Sequence, residues 1–96
     1  MNVETLRYVA HLEWRLRIRR IARQLPTRVY RDAEERFHDI ATGHEIAIAL
    51  VSYRGKRRQI MVAYDRAGEV VELVTIHPVR SEQKEARIRS GRWRRI

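Results

Sequence analysis

A histidine at position 77 stands directly before Pro78 and opens onto a tail rich in arginine. An imidazole with an ordinary pKa near about 6.5 is the side chain best suited to move a proton around neutral pH. In metal-free RNA cleavage one base takes the 2′-hydroxyl proton while an acid protonates the leaving 5′ oxygen; two histidines, or one histidine with arginines, supply the parts. His11 is the natural second member, because His11, Arg15 and Arg19 lie four residues apart along one stripe of a helix, beside Trp14. Such a stripe holds a phosphate, and arginine stabilises the charge of a pentacoordinate transition state. The plainer alternatives are a solvated strand-end histidine and an ordinary charged helix flank.

Further along, Lys84, Arg87, Arg89, Arg92, Arg94 and Arg95 surround Trp93, which combines phosphate-reading cations with one aromatic plane for a base. Alternatively Trp93 folds back as a core cap, and the arginines confer solubility or recruit an acidic partner. The formal charge of the 96 residues is +9, and its distribution is uneven. Residues 1–25 carry +4, residues 26–79 carry 0 and residues 80–96 carry +5. Of the 21 cations, 19 are arginine, whose planar fork binds phosphate bidentately, although codon bias toward arginine is an equal explanation. A domain this basic normally meets nucleic acid, an acidic protein or an anionic surface, and nucleic acid is the first expectation. Arg19, Arg57, Lys84, Arg87, Arg92 and Trp93 are the expected contacts.

Other chemistries find little support. His38, Asp39 and His44 flank the turn at Thr42 and Gly43, but His38 and Asp39 are neighbours that point to opposite strand faces, so no metal is expected. Asp39 more plausibly caps the turn through its own side chain. No nucleophile elbow, P-loop or dinucleotide fingerprint occurs, so no cofactor is expected. Zero cysteines exclude a disulfide scaffold and a thiolate nucleophile. With no secretion signal and no apolar run of the roughly 18–20 residues a membrane span needs, the expectation is a cytoplasmic protein without membrane contact. Its oligomeric state is left open.

These residues must be positioned by one small domain, residues 1–96, since composition shifts nowhere and no linker is visible. Val3 to Val9 reads as an edge strand, with a helix opening as the alternative. A helix from His11 to about Arg23 follows, its apolar face drawn by Trp14, Ile18, Ile21, Ala22 and Leu25. Pro26 starts a second helix over Thr27 to Ala33. The period then becomes two: strands over Arg36 to Ile40, His44 to Tyr53, Arg58 to Asp65 and Glu69 to His77, with Pro78 ending the last. Ser81 caps a short helix to about Arg89, stopped by Ser90 and Gly91.

A hairpin centred on Gly55 and Lys56 would set Ser52 opposite Gln59 and Leu50 opposite Met61. A second pairing Tyr64 with Val70 would set Met61 opposite Leu73, Gln59 opposite Thr75 and Arg57 opposite His77. One sheet face then carries an apolar floor of Ile48, Leu50, Met61, Ala63, Val71 and Leu73. A polar zone of Ser52, Arg57, Gln59, Thr75 and His77 stands at its end, with a solvated rim as the plainer reading. The expected class is α+β: two N-terminal helices preceded by a short edge strand, an antiparallel sheet of about four strands, and a short C-terminal helix.

Three segments carry a resemblance: His11 to Arg15 (HLEWR) with Arg19, Val74 to Pro78 (VTIHP), and Gln83 and Arg87 leading to Ser90 to Trp93 (SGRW). With Asp39, Thr42, Gly43, Tyr64 and Asp65, they resemble a family of small prokaryotic proteins distantly similar to RelE/ParE-type toxins, over nearly the whole chain. The resemblance implies a RelE-like fold and messenger RNA cleavage, free or on the ribosome, held in check by an acidic antitoxin. The ParE branch implies instead a binding function, the poisoning of a protein target. Toxins of this kind rarely share site residues across branches, so the candidates remain this chain's own: His77 as base or acid, His11 as its counterpart, Arg15 as phosphate and transition-state contact.

Overall fold

Glu45 to Tyr53 is almost wholly apolar, and such a strand is satisfied only in the middle of a sheet covered on both faces. The chain places it there: Ile46 and Ile48 are buried on one face, Ala47, Ala49 and Val51 on the other. The computed structural model describes residues 4–96. Its elements in chain order are β1 (Thr5–Tyr8), α1 (Ala10–Ile18), α2 (Leu25–Asp32), β2 (Glu35–Asp39), β3 (Glu45–Tyr53), β4 (Lys56–Ala67), β5 (Val70–Pro78), α3 (Ser81–Arg89) and β6 (Trp93–Arg95). Val3, where the first strand was expected to begin, lies outside the described residues.

The architecture is α+β with three helices, and the expected sheet of about four antiparallel strands is corrected to six strands in the order β1-β5-β4-β3-β2-β6. The sheet is mixed, because β1 runs parallel to β5 while every other pair is antiparallel. Both ends of the chain become edge strands, and that order does not match the RelE-like fold the resemblance implied. The edge strand expected before the first helix stands at Thr5–Tyr8, but its parallel pairing was not foreseen and the three-residue β6 was missed; both pair with segments distant in sequence, so no local period announces the pairings.

Register differs from expectation at both hairpins. In the first, Arg54 (φ 52°) and Gly55 (φ 78°) form the two-residue turn and Tyr53 closes it with Lys56, so Ser52 faces Arg57 and Leu50 faces Gln59. Positive φ at both central positions is the signature of a type I′ turn, which matches strand twist and puts glycine second. The shift is two residues and leaves the faces unchanged. In the second, Ala67 pairs with Val70, and a bulge between Ala63 and Tyr64 changes the register by one. An odd shift exchanges faces: the three-residue shift at Ala67 and Val70 takes Val71 and Leu73 from the expected floor to the opposite core, and beyond the bulge His77 pairs with Met61 and Thr75 with Ala63.

Helices α1 and α2 cover one face through Leu12, Leu16, Leu25, Val29 and Tyr30, which pack with Val62, Tyr64, Val71 and Leu73. The other face carries Phe37, Ile46, Ile48, Met61 and Ala63, closed by Val79, Trp93 and the half-buried Ile88 of α3. The first helix is shorter than expected and turned over. Leu12 and Leu16 face the core, whereas Trp14 and Ile18 are 51% and 57% exposed. It stops because Arg20 takes a left-handed φ of 54° while Ile21 N–H bonds Leu16 O at 2.9 Å and Arg20 N–H bonds Arg17 O at 3.3 Å, a Schellman ending. At α3, Arg80 rather than Ser81 takes the capping position, its N–H held by the Gln83 side chain at 3.1 Å. No helix among the described residues is long and apolar enough to cross a membrane.

Candidate nucleic-acid interface

Strand β1 ends where Tyr8 meets Leu73, and the Val9 N–H makes one further bond to Leu73 O, so the last residues of β5 have no strand on that side. The chain turns there into α1, which packs over β5. His77 stands at this uncovered corner, with its partner strand β4 on the other side. Its pKa lies below the ordinary imidazole value; the surrounding chain thins its hydration, and the charges of Arg15, Arg87 and Arg19 add to the effect. The residue still reaches solvent. Two helices from opposite faces of the sheet thus bring guanidinium charge to one histidine and favour its neutral form.

Charge is sorted along the molecule in a way that segment sums conceal. The β3–β4 turn and the end of β5 lie at the same sheet end, since Tyr53 pairs with Lys56 and Ile60 with Pro78. The end of α1 joins them, because the Arg54 guanidinium donates to Arg19 O at 2.9 Å. Arg15, Arg17, Arg19, Arg20, Arg54, Lys56, Arg57 and Arg58 gather there, and none makes an ion pair among the described residues. The opposite end holds Glu4, Glu45, Asp65, Glu69 and Glu72. The neutral sum over residues 26–79 is therefore two ends of opposite sign.

The structure divides the expected site residues into three groups. His77, Arg15, Arg19 and Arg87 converge. Lys84, Arg92 and Trp93 are used to hold the fold. Lys84 Nζ lies 2.6 Å from Glu35 Oε1, with Arg95 on the other oxygen at 3.2 Å. Burial pushes the Glu35 carboxyl up, but the two cations outweigh it and hold it below its usual value. Arg92 makes a two-pronged pair with Asp39, 3.0 Å on each oxygen. Asp39 is 2% exposed; burial raises its pKa, yet Arg92, the Ala41 N–H at 2.9 Å and the nearby indole hold the carboxyl well below the carboxylate range. The Ala41 bond is the turn cap expected of Asp39. Trp93 is 2% exposed and stacks on Phe37 at 5.4 Å, so its ring caps the second core and offers no face to a base. Its indole nitrogen is buried without a hydrogen bond of standard geometry.

His11 and Arg57 stand apart. His11 is exposed in the first turn of α1 and stacks on Trp14, ring centroids 5.7 Å apart. No hydrogen bond ties it to His77. Arg57 faces Ser52, beyond the end of β5, so the expected Arg57–His77 pairing is corrected by the register above. His38 faces Glu45 at 3.3 Å and His44 faces Asp65 at 2.7 Å, as separate pairs. Among the described residues no three His, Cys, Asp or Glu side chains are grouped to hold a metal ion.

Arg20 and Arg54, both in left-handed backbone, were not foreseen. They line a cleft of about 490 Å³ with Ile21, Arg28 and Tyr53, over whose ring Arg54 and Arg58 lie at 5.1 and 5.9 Å. The visible signal was Arg54 before Gly55, a turn position where asparagine is the ordinary choice. A larger cleft of about 800 Å³ lies between β1 and α2, and of its four arginines Arg7, Arg23 and Arg28 are paired with carboxylates while Arg31 is not. No family model, curated protein or solved structure matches this chain.

Proposed function

We propose that the cationic end of this domain binds RNA and that His77 cleaves it by transesterification. The observation that carries this reading is the convergence of Arg15 and Arg19 from α1 and Arg87 from α3 on one histidine whose neutral form is favoured. A phosphodiester seated among the three guanidinium groups would have its negative charge met before and during the reaction. Neutral His77 takes the proton from the 2′-hydroxyl, the 2′ oxygen attacks phosphorus, and the bond to the 5′ oxygen breaks. The 5′ oxygen leaves with a proton from water, and the products are a 2′,3′-cyclic phosphate and a 5′-hydroxyl. His77 then returns its proton to solvent. In this toxin-like reading, an acidic partner chain docked on the same end competes with RNA and holds the activity in check.

The test is incubation of the protein in chelator with mixed single-stranded RNA at low salt, beside His77→Ala, with analysis of product ends. Cyclic-phosphate ends from the parent, reduced roughly 100- to 10,000-fold in the variant with binding intact, support the reading. Equal cleavage by both proteins removes His77 from the site.

A second reading, a binding module without catalysis, is favoured by the separation of His11 from His77, which leaves no second imidazole at the corner. Salt-sensitive RNA binding with no cleavage, on the ribosome or off it, supports that alternative.

A further inference from the structure

Helix α1 buries two leucines and exposes its tryptophan. Leu12 and Leu16 reach the core, while Trp14 and Ile18 stay 51% and 57% exposed. An indole carries about 150–250 Å² of surface to bury, so an exposed one beside unpaired cations is a platform awaiting a flat partner. His11, three residues before Trp14 and therefore on the same side of the helix, stacks on it with 28° between ring planes. That contact steadies the indole and leaves the rest of its surface open. Arg15 lies on the adjoining flank, with Arg19 one turn on, and both carry their charge to His77.

We infer that Trp14, backed by His11, is the stacking subsite for an unpaired base of single-stranded RNA, next to the phosphate held at His77. The inference rests on the RNA reading above and adds the substrate class, single strand over duplex. Duplex bases already stack on one another and present only edges, whereas a single strand offers a π-face at every nucleotide. Charge decides against an apolar protein face for this patch. Arg15 and Arg17 follow Trp14 along α1 and Arg19 and Arg20 stand at the helix end, all without an ion pair among the described residues, and an apolar docking face would bury them uncompensated. A nucleotide brings a phosphate with each base.

The experiment titrates labelled single-stranded RNA and a long duplex of the same sequence into the parent protein, Trp14→Ala and Trp14→Phe. It follows label anisotropy and tryptophan emission, against which buried Trp93 is a constant background. Single strand is expected to quench the parent's emission. Trp14→Ala is expected to lose roughly 5- to 100-fold in single-strand affinity, the range of one lost stack, with duplex affinity and salt slope unchanged and Trp14→Phe restoring much of the loss. Trp14 is surface-exposed and alanine favours helix, so the variants fold. Salt-sensitive binding equal in all three proteins, without quenching, overturns the stacking subsite and leaves the RNA reading standing. No binding of RNA by the parent overturns both. A change in emission with protein concentration alone assigns the patch to a second copy of the chain and overturns the inference.

Discussion

The Arg54 guanidinium donates to the backbone carbonyl of Arg19 at 2.9 Å, joining the β3–β4 turn to the last turn of α1. The donor is itself a residue in left-handed backbone, and the acceptor precedes another, Arg20. One bond thereby unites two cationic segments that lie 35 residues apart and that local geometry alone would give to glycine or asparagine. Violation of a local rule at a charged surface is where function is expected to have shaped the choice.

Arg20→Gly is expected to stabilise the fold and weaken its binding. The left-handed backbone at φ 54° costs an L side chain about 1 kcal/mol, which glycine recovers, less its larger entropy when unfolded. A net gain of about 0.5 kcal/mol should appear as a higher urea midpoint at unchanged slope. RNA affinity should fall, with the log–log salt slope reduced by about 1 if Arg20 meets one phosphate. A rise in both stability and affinity would show that Arg20 touches no nucleic acid.

His77 sets the pH dependence. Its folded pKa lies below the ordinary value because of burial and then Arg15, Arg87 and Arg19. As pH falls below about 6.5 the unfolded chain binds the proton first, so this group removes stability from there down to the folded pKa and has no effect above neutrality. Cleavage should rise with pH through that same depressed value and level off by pH 7. Imidazole carbon shifts of His77 report the value directly, and Arg87→Gln and Arg15→Gln should each move it upward. An unmoved titration in both variants would show that these arginines do not face the ring.

Arg92→Ala tests the structural half of the basic tail. It leaves the Asp39 carboxylate, 2% exposed, with only the Ala41 N–H and the indole beside it. Breaking a buried pair costs about 3–5 kcal/mol; because the Arg92 side chain is 38% exposed, about 2–3 kcal/mol is expected in urea unfolding, against near zero for the exposed Arg94→Ala. The low folded pKa of Asp39 makes its contribution present above the unfolded value of about 3.9 and lost as pH falls through the folded one. The difference between parent and variant should therefore shrink below about pH 4.

Of the converging residues, Arg15 and Arg19 were legible by helical spacing, His77 by its place before Pro78 and Arg87 by its place in the basic tail, because each signal is local. The places of both hairpin turns were legible through Gly55 and Gly68, but not their closing pairs, Tyr53 with Lys56 and Ala67 with Val70. What escaped depends on contacts between distant segments. Nothing around Thr5 or Trp93 announces a parallel partner at Val70 or an antiparallel one at Asp39. The closure at Ala67 and Val70, three residues from the expected register, turns Val71 and Leu73 to the other face, and the bulge at Ala63 and Tyr64, which has no glycine to mark it, decides the face of Thr75 and His77. In α1 the apolar set Trp14 and Ile18 and the set Leu12 and Leu16 are equally helical in spacing, and only the packed sheet chooses between them.

The two tryptophans should separate stability from recognition. Trp93, 2% exposed, stacks on Phe37 and carries the Arg87 guanidinium 5.0 Å above its ring. Trp93→Ala opens a cavity in the smaller core and is expected to cost about 3–5 kcal/mol, enough to unfold much of a small domain, so Trp93→Phe is the usable variant. Phenylalanine keeps an aromatic plane beneath Arg87, so this variant should lose about 1–2 kcal/mol in chemical denaturation and hold its RNA affinity. Trp14→Ala should do the reverse, keeping the denaturation midpoint and losing single-strand affinity. If Trp93→Phe instead weakened RNA binding at full occupancy of the folded state, Trp93 would be a base contact, and the assignment of the tail's aromatic plane to the core would fail.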